Sequence, residues 1–227
     1  MKPKLVTVIL PIYNQADHIA FVLRQYVDAF AAAKIDVEFL AVVNGVQHDK
    51  TLEICEAIAA DYPVIRVIRI EQAGWGRPIK AGLAEAKGDI LCYVNCARTQ
   101  AVDLVTCVTY GLAHTDVTIK GNRKIRASAA RSVGSLLYNL ECRYLYNLTV
   151  WDMNGTPKVF PRHFHELFKL KSDDSLYDLE FHIVCQQMGY KTLEVPITST
   201  VRFGGTSTTG LRTALSLYGG ALRFKRS

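Results

Sequence analysis

The stretch LVTVILPI at residues 5–12 is apolar and β-branched almost throughout, the mark of a strand buried on both faces. Residues 15–33 change to helical spacing, with Ile19, Val22, Leu23 and Tyr26 on one stripe. A second buried run, Val37 to Val43, precedes a helix from about Asp49 to Ala60. A third, Val64 to Ile70, precedes a Gly-rich turn and a helix over 78–87, and a fourth, Ile90 to Val94, follows Gly88-Asp89. Strands alternating with helices of this length predict right-handed βαβ units and a parallel sheet. Residues 1–100 therefore read as an α/β half of the nucleotide-binding type, with ligands expected at the carboxyl ends of its strands.

The second half is less regular. The pattern predicts a strand at 117–120, a long helix around 131–147 and a loop-strand segment, WDMNGTPKVFPR, at 151–162. A helix at about 177–188 precedes a strand from Thr192 to Val195. No Pro/Ser-rich linker and no internal repeat divides the chain, so both halves are expected to share one core across residues 1–210, followed by a basic tail at 211–227.

Composition narrows the partners. The 227 residues are 49% hydrophobic and 21% charged, which excludes a disordered chain. The net charge of +6 favours an anionic partner. Nucleic acid is set aside, because the basic segment lacks interleaved aromatics and any binding module. The six cysteines form no CxxC pair and read as reduced, buried thiols, which points to a cytoplasmic protein. No run of 18 apolar residues exists to span a membrane, but the tail sequence TALSLYGGALRFKRS could lie on an anionic membrane surface.

Six segments, in order, are similar to stretches of one family. They are VTVILPIYN at 6–14, GWGRPIKAGLAEAKGDILCYVN at 74–95 and GNR at 121–123 with Arg131, Ser135, Asn139 and Arg143. WDMNGTPKVFPR, YDLEFHIVCQQMGYKTLEVPI at 177–197 and VRFGGTS at 201–207 complete the set. The chain resembles glycosyltransferase family 2, in its dolichyl-phosphate mannose synthase-like and polyprenyl-phosphate sugar transferase branch. The resemblance implies a GT-A fold and inverting transfer of a sugar from a UDP- or GDP-linked donor to an acceptor, expected to be a lipid phosphate or another anion. It implies donor binding by Pro11, Tyr13, Asn14, Asn44, Gly74, Gly76, Arg77 and Asn95. It implies acceptor binding by Arg123, Arg131, Ser135, Lys158, Arg202 and Ser207. Asp152 would orient its loop or touch the donor sugar.

Two departures bear on the chemistry. Where the family shows Asp-Asp-Gly-Ser, this chain reads Val43-Asn44-Gly45-Val46. Where it shows a metal-holding Asp-x-Asp, this chain reads Asn95-Cys96-Ala97, a poor donor set for a hard dication. The sequence therefore predicts no metal ligands and no cofactor, with Mg²⁺ or Mn²⁺ only at a site it does not mark. Arg98 is the expected catalytic group, offsetting charge on the leaving diphosphate with Arg77 in support. The alternative is a catalytically silent GT-A domain acting as a binding or regulatory partner.

Overall fold

The computed structural model describes residues 4–123, 129–197, 202–204 and 219–220, with the side chains of 129–135 outside that description. A seven-stranded sheet in the order β3-β2-β1-β4-β6-β5-β7 forms its centre. The strands are β1 (Val6–Ile12), β2 (Val37–Asn44), β3 (Ile65–Ile70), β4 (Ile90–Tyr93), β5 (Val117–Arg123), β6 (Lys158–Pro161) and β7 (Lys191–Ile197). Only β6 runs against its neighbours, pairing antiparallel with both β4 and β5.

The helices are α1 (Ile19–Ala32), α2 (Thr51–Asp61), α3 (Gly76–Glu85), α4 (Ala101–Ala113), α5 (Ala129–Tyr146) and α6 (Tyr177–Gln187). Strand alternation decides which face each covers. Val6, Val8, Leu10 and Ile12 point to one face, with Ile19, Val22 and Leu23 of α1 and Leu104, Cys107 and Val108 of α4. Ile9, Leu40 and Leu91 point to the other, against Ile79 and Leu83 of α3 and Tyr177 and Phe181 of α6. Both faces of β1 are thus dry, which is why its sequence is a continuous apolar run rather than an alternating one. Each such side chain, fully buried, contributes about 1.5–3 kcal/mol. Ile119, Val159, Val195 and Ile197 join the same cluster as β1, so the two halves share a core.

The sequence reading omitted α4, whose AVDLVTCVTYGLA mixes helical spacing with β-branched residues. It also gave no hint that β6 would enter the sheet reversed. β1 lies between β2 and β4, so the chain crosses over both β2 and β1 between β3 and β4. That reversal of winding leaves a crevice at the carboxyl ends of β1 and β4, where α/β sheets bind ligands.

Candidate active site

The end of β1 supplies the first wall of the crevice. Asn14 adopts φ 47°, a left-handed conformation that asparagine tolerates, and Tyr13 and Asn14 are both half-buried there. The Asn14 side-chain oxygen accepts from the His48 amide at 2.9 Å, and its own amide donates to Gln47 Oε1 at 3.2 Å. Asn44, at the end of β2, is buried and engaged at both ends. Its amide donates to the Ile12 carbonyl at 2.8 Å, and its oxygen accepts from Gly74 N at 3.3 Å. It ties the ends of β1 and β2 to the loop that leads into α3.

The end of β4 supplies the opposite wall. Arg98 N and Thr99 N both donate to the Asn95 carbonyl at 3.1 Å, forming a tight turn that leaves Asn95 and Arg98 half-buried. Cys96 turns into the core, its thiol donating to Gln15 Oε1 at 3.1 Å. Burial pushes that thiol up to about 12, Arg202 pulling the other way, so it stays protonated and inert. Phe203 N donates to the Ala97 carbonyl at 2.9 Å, which brings Arg202 to the same turn as Arg98.

The Gly74–Arg77 turn departs from the sequence expectation. Gly76 N and Arg77 N, the first amides of α3, donate to the Asp173 carbonyl at 3.0 and 3.3 Å. Arg77 Nε pairs with Asp173 Oδ2 at 3.1 Å, and Lys80 Nζ with Oδ1 at 2.5 Å. A Cβ on Gly76 would stand 2.2 Å from the Ser172 carbonyl, so this glycine admits the 172–173 backbone. As a correction, these amides and Arg77 serve the 171–174 segment instead of an open phosphate cradle.

The far side of the crevice is built around Asp152, buried and at φ 51°. Each backbone group flanking it is anchored. Trp151 N donates to Glu194 Oε1 at 2.9 Å, and Lys120 Nζ donates to the Trp151 carbonyl. Met153 N donates to Asn139 Oδ1 at 2.8 Å, and Lys158 Nζ donates to the Met153 carbonyl at 3.0 Å. Four anchors from β5, β6, β7 and α5 hold a conformation that costs a non-glycine residue on the order of 1–2 kcal/mol.

Two acceptor assignments change accordingly. Lys158 is fully buried; it also pairs with Asp178, and burial lowers its pKa from the ordinary lysine value. It is a strut beneath the site and cannot reach an acceptor phosphate. Arg123 is engaged by Asp152, so it enters the site only as half of an ion pair. Arg131 and Ser135 belong to α5, their side chains outside the described residues, and Ser207 lies outside them altogether. Of the anchoring residues, the half-buried Glu194 was not singled out from sequence, whereas Asn139 and Glu180 fall in the segments similar to the family and Lys120 in the basic run that ends at Arg143. The partner of Glu194, Lys120, stands 74 positions away in sequence.

Residues 7–96 match the model of glycosyl transferase family 2. The chain is 24% identical over 207 residues to the undecaprenyl-phosphate 4-deoxy-4-formamido-L-arabinose transferase of Pseudomonas fluorescens (strain Pf0-1). That match covers 89% of this chain but 59% of the relative, so the chain spans under two thirds of that protein. Among solved structures it is similar to Mycobacterium tuberculosis glucosyl-3-phosphoglycerate synthase in complex with Mn²⁺, UDP-glucose and phosphoglyceric acid. The TM-score is 0.70 and the identity 16%, covering 98% of this chain and 79% of that one. The same enzyme with Mg²⁺ and UDP gives a TM-score of 0.71 at 15% identity, covering 98% and 79%. The domain has the GT-A fold expected from the resemblance.

The cofactor expectation is corrected by these neighbours. They are crystallised with Mn²⁺ or Mg²⁺ beside UDP or UDP-glucose, which points to a divalent cation in this fold. The residues here do not form the usual carboxylate set. Cys96 faces Gln15 in the core, Ala97 offers no donor, and among the described residues no three His, Cys, Asp or Glu side chains converge. No helix among the described residues is long and apolar enough to cross a membrane.

Proposed function

We propose that this chain transfers a sugar from a nucleoside diphosphate sugar to a phosphate-bearing acceptor in the crevice between β1 and β4. The observation that supports this reading is the hydrogen bond from Phe203 N to the Ala97 carbonyl, which brings Arg202 to the turn that carries Arg98 at the end of β4. Two guanidinium groups at a strand end suit a diphosphate and a phosphate brought together.

The nucleoside lies against Tyr13 and Asn14, and the diphosphate against the Asn95–Arg98 turn. An acceptor phosphate oxygen, already anionic, attacks the anomeric carbon from the side opposite the leaving group. The new C–O bond forms as the bond to the β-phosphate oxygen breaks, and the electron pair leaves with the nucleoside diphosphate. Configuration inverts. No general base is required, because no proton must be removed from the nucleophile. Arg98 offsets the charge growing on the departing diphosphate, a role whose loss costs a typical enzyme about 2.7–4 kcal/mol in barrier. A divalent cation, where bound, supplies further positive charge to the diphosphate.

The acceptor is read from a shared chemistry. The Pseudomonas relative is named for undecaprenyl phosphate and the mycobacterial neighbour is crystallised with phosphoglyceric acid; both molecules carry a phosphate. We assign the lipid phosphate, following the relative that matches by sequence. The test is a transfer assay with UDP- and GDP-linked hexoses and pentoses, Mn²⁺ present, offering undecaprenyl phosphate or phosphoglycerate. A glycosylated lipid phosphate with inverted anomeric configuration supports the reading. Transfer to phosphoglycerate alone reassigns the acceptor, and consumption of no donor leaves a silent binding domain.

A further inference from the structure

Two sides of the crevice, the Gly74–Arg77 turn and the Asp152 loop, come from distant parts of the chain, and both rest on the first turn of α6. Asp178 Oδ2 accepts from Trp75 Nε1 at 2.9 Å, in the middle of the Gly74–Arg77 turn. Its other oxygen accepts from Tyr93 OH at 2.9 Å and from Lys158 Nζ. Lys158 in turn donates to the Met153 carbonyl at 3.0 Å, immediately after Asp152. Glu180 takes the Lys171 and Ser172 amides at 2.8 and 2.7 Å. The next residue, Asp173, gives its carbonyl to Gly76 N and Arg77 N.

Asp178, Glu180, Tyr93 and Lys158 are all buried, and the hydrogen bonds linking Asp178, Tyr93, Lys158 and the Met153 carbonyl are shielded from water. Shifting Trp75 by even a fraction of an ångström must move or break the Asp178 contact, and Asp178 shares one oxygen with the lysine that holds the Asp152 loop. Packed interiors pass on such shifts instead of absorbing them.

We propose that Asp178 and Glu180 are positioning residues that couple the Gly74–Arg77 turn to the Asp152 loop. Nucleotide entering the crevice then resets the loop on its far side. This rests on the donor reading above, in which the nucleotide lies against Tyr13 and Asn14; Asn44, bonded to the Ile12 carbonyl and to Gly74 N, joins that end of β1 to the turn. Coupling of this kind is reciprocal, so a ligand on the Asp152 side also alters nucleotide affinity.

The chain contains two tryptophans, Trp75 in the turn and Trp151 beside Asp152, one on each side of the path. The full chain labelled with 5-fluorotryptophan therefore gives two ¹⁹F resonances, assigned with Trp151→Phe and followed while UDP is added with Mg²⁺ present. The expected result is that both resonances move with one half-saturation concentration. In the double variant Lys158→Met/Asp178→Asn, which orphans no buried charge and keeps an acceptor for Trp75, the Trp75 resonance should still titrate while Trp151 stays still. A thermal melt verifies that this variant is folded. Movement of Trp75 alone in the unaltered chain overturns the coupling and spares the donor reading. An unchanged Trp151 response in the double variant also overturns it. Silence at both tryptophans overturns coupling and donor reading together.

Discussion

Arg123 grips Asp152 with two prongs, Nε to Oδ2 at 2.8 Å and Nη2 to Oδ1 at 2.6 Å, joining the end of β5 to the loop that leads into β6. The Arg123 backbone amide adds a third contact to Oδ2 at 3.2 Å. The carboxylate is buried and the guanidinium side chain is one-quarter exposed. β5 and β6 pair at two positions, Ile119 with Val159 and Lys120 with Lys158, and this clasp adds a tie between the end of β5 and the loop at the rim of the crevice.

Removing one partner should therefore cost more than a surface pair would. Asp152→Ala is expected to destabilise the fold by about 3 kcal/mol, because it strands a largely buried guanidinium. Chemical denaturation measures this directly. A loss of a few tenths of a kcal/mol would mean that water reaches Arg123 freely.

The glycines of the α3 turn give a second prediction. Gly76→Ala places a Cβ 2.2 Å from the Ser172 carbonyl and 2.9 Å from the Tyr177 ring. The expected loss is about 3 kcal/mol, the upper end of what overpacking costs. Gly189→Ala is the control: its φ is +68° but a Cβ there meets nothing within 4 Å. It should lose only about 1–2 kcal/mol, from left-handed strain alone. Equal losses would show that the 172–173 backbone does not pack on the turn.

His182 makes stability depend on pH. Burial, and then the charges of Lys158 and Lys120, hold its pKa well below the usual value of 6.5. The unfolded chain takes up a proton near pH 6.5 while the folded chain does not, so its neutral state contributes stability above pH 6.5 that fades as pH falls below it. The slope is at most about 1.4 kcal/mol per pH unit. His182→Gln should flatten the stability profile between pH 7.5 and 5.5 relative to the unaltered chain. A parallel profile in the two proteins would show that the imidazole protonates as readily folded as unfolded.

Sequence and structure agree most closely where burial was two-sided. The runs at 5–12 and Val37 to Val43 are apolar because no face of β1 or β2 meets water, so their periodicity could be read directly. Residues near the crevice were harder. Lys120 and Lys158 lie in strands and carry charge, which from sequence alone looks like ligand binding. Their true partners, Glu194 and Asp178, become neighbours only once β7 and α6 have packed. Gly74 and Gly76 suggested a phosphate turn, yet Gly76 makes room for a backbone arriving from a hundred residues downstream. Asp178 and Glu180, two positions apart on α6, cannot share a face, and they hold different partners.

Calorimetric titration of UDP and GDP with Mn²⁺ present tests whether the crevice between β1 and β4 takes a nucleoside diphosphate. Saturable binding of at least one of them is expected. Arg98→Ala should weaken it by about tenfold or more, the effect of losing one charge-assisted contact of about 1.5–3 kcal/mol. Asp36→Ala should leave it unchanged, because Asp36 lies at the opposite, amino-terminal end of the sheet beside Val37. Absence of binding by either nucleotide at millimolar concentration, or binding that ignores Arg98, would contradict this reading.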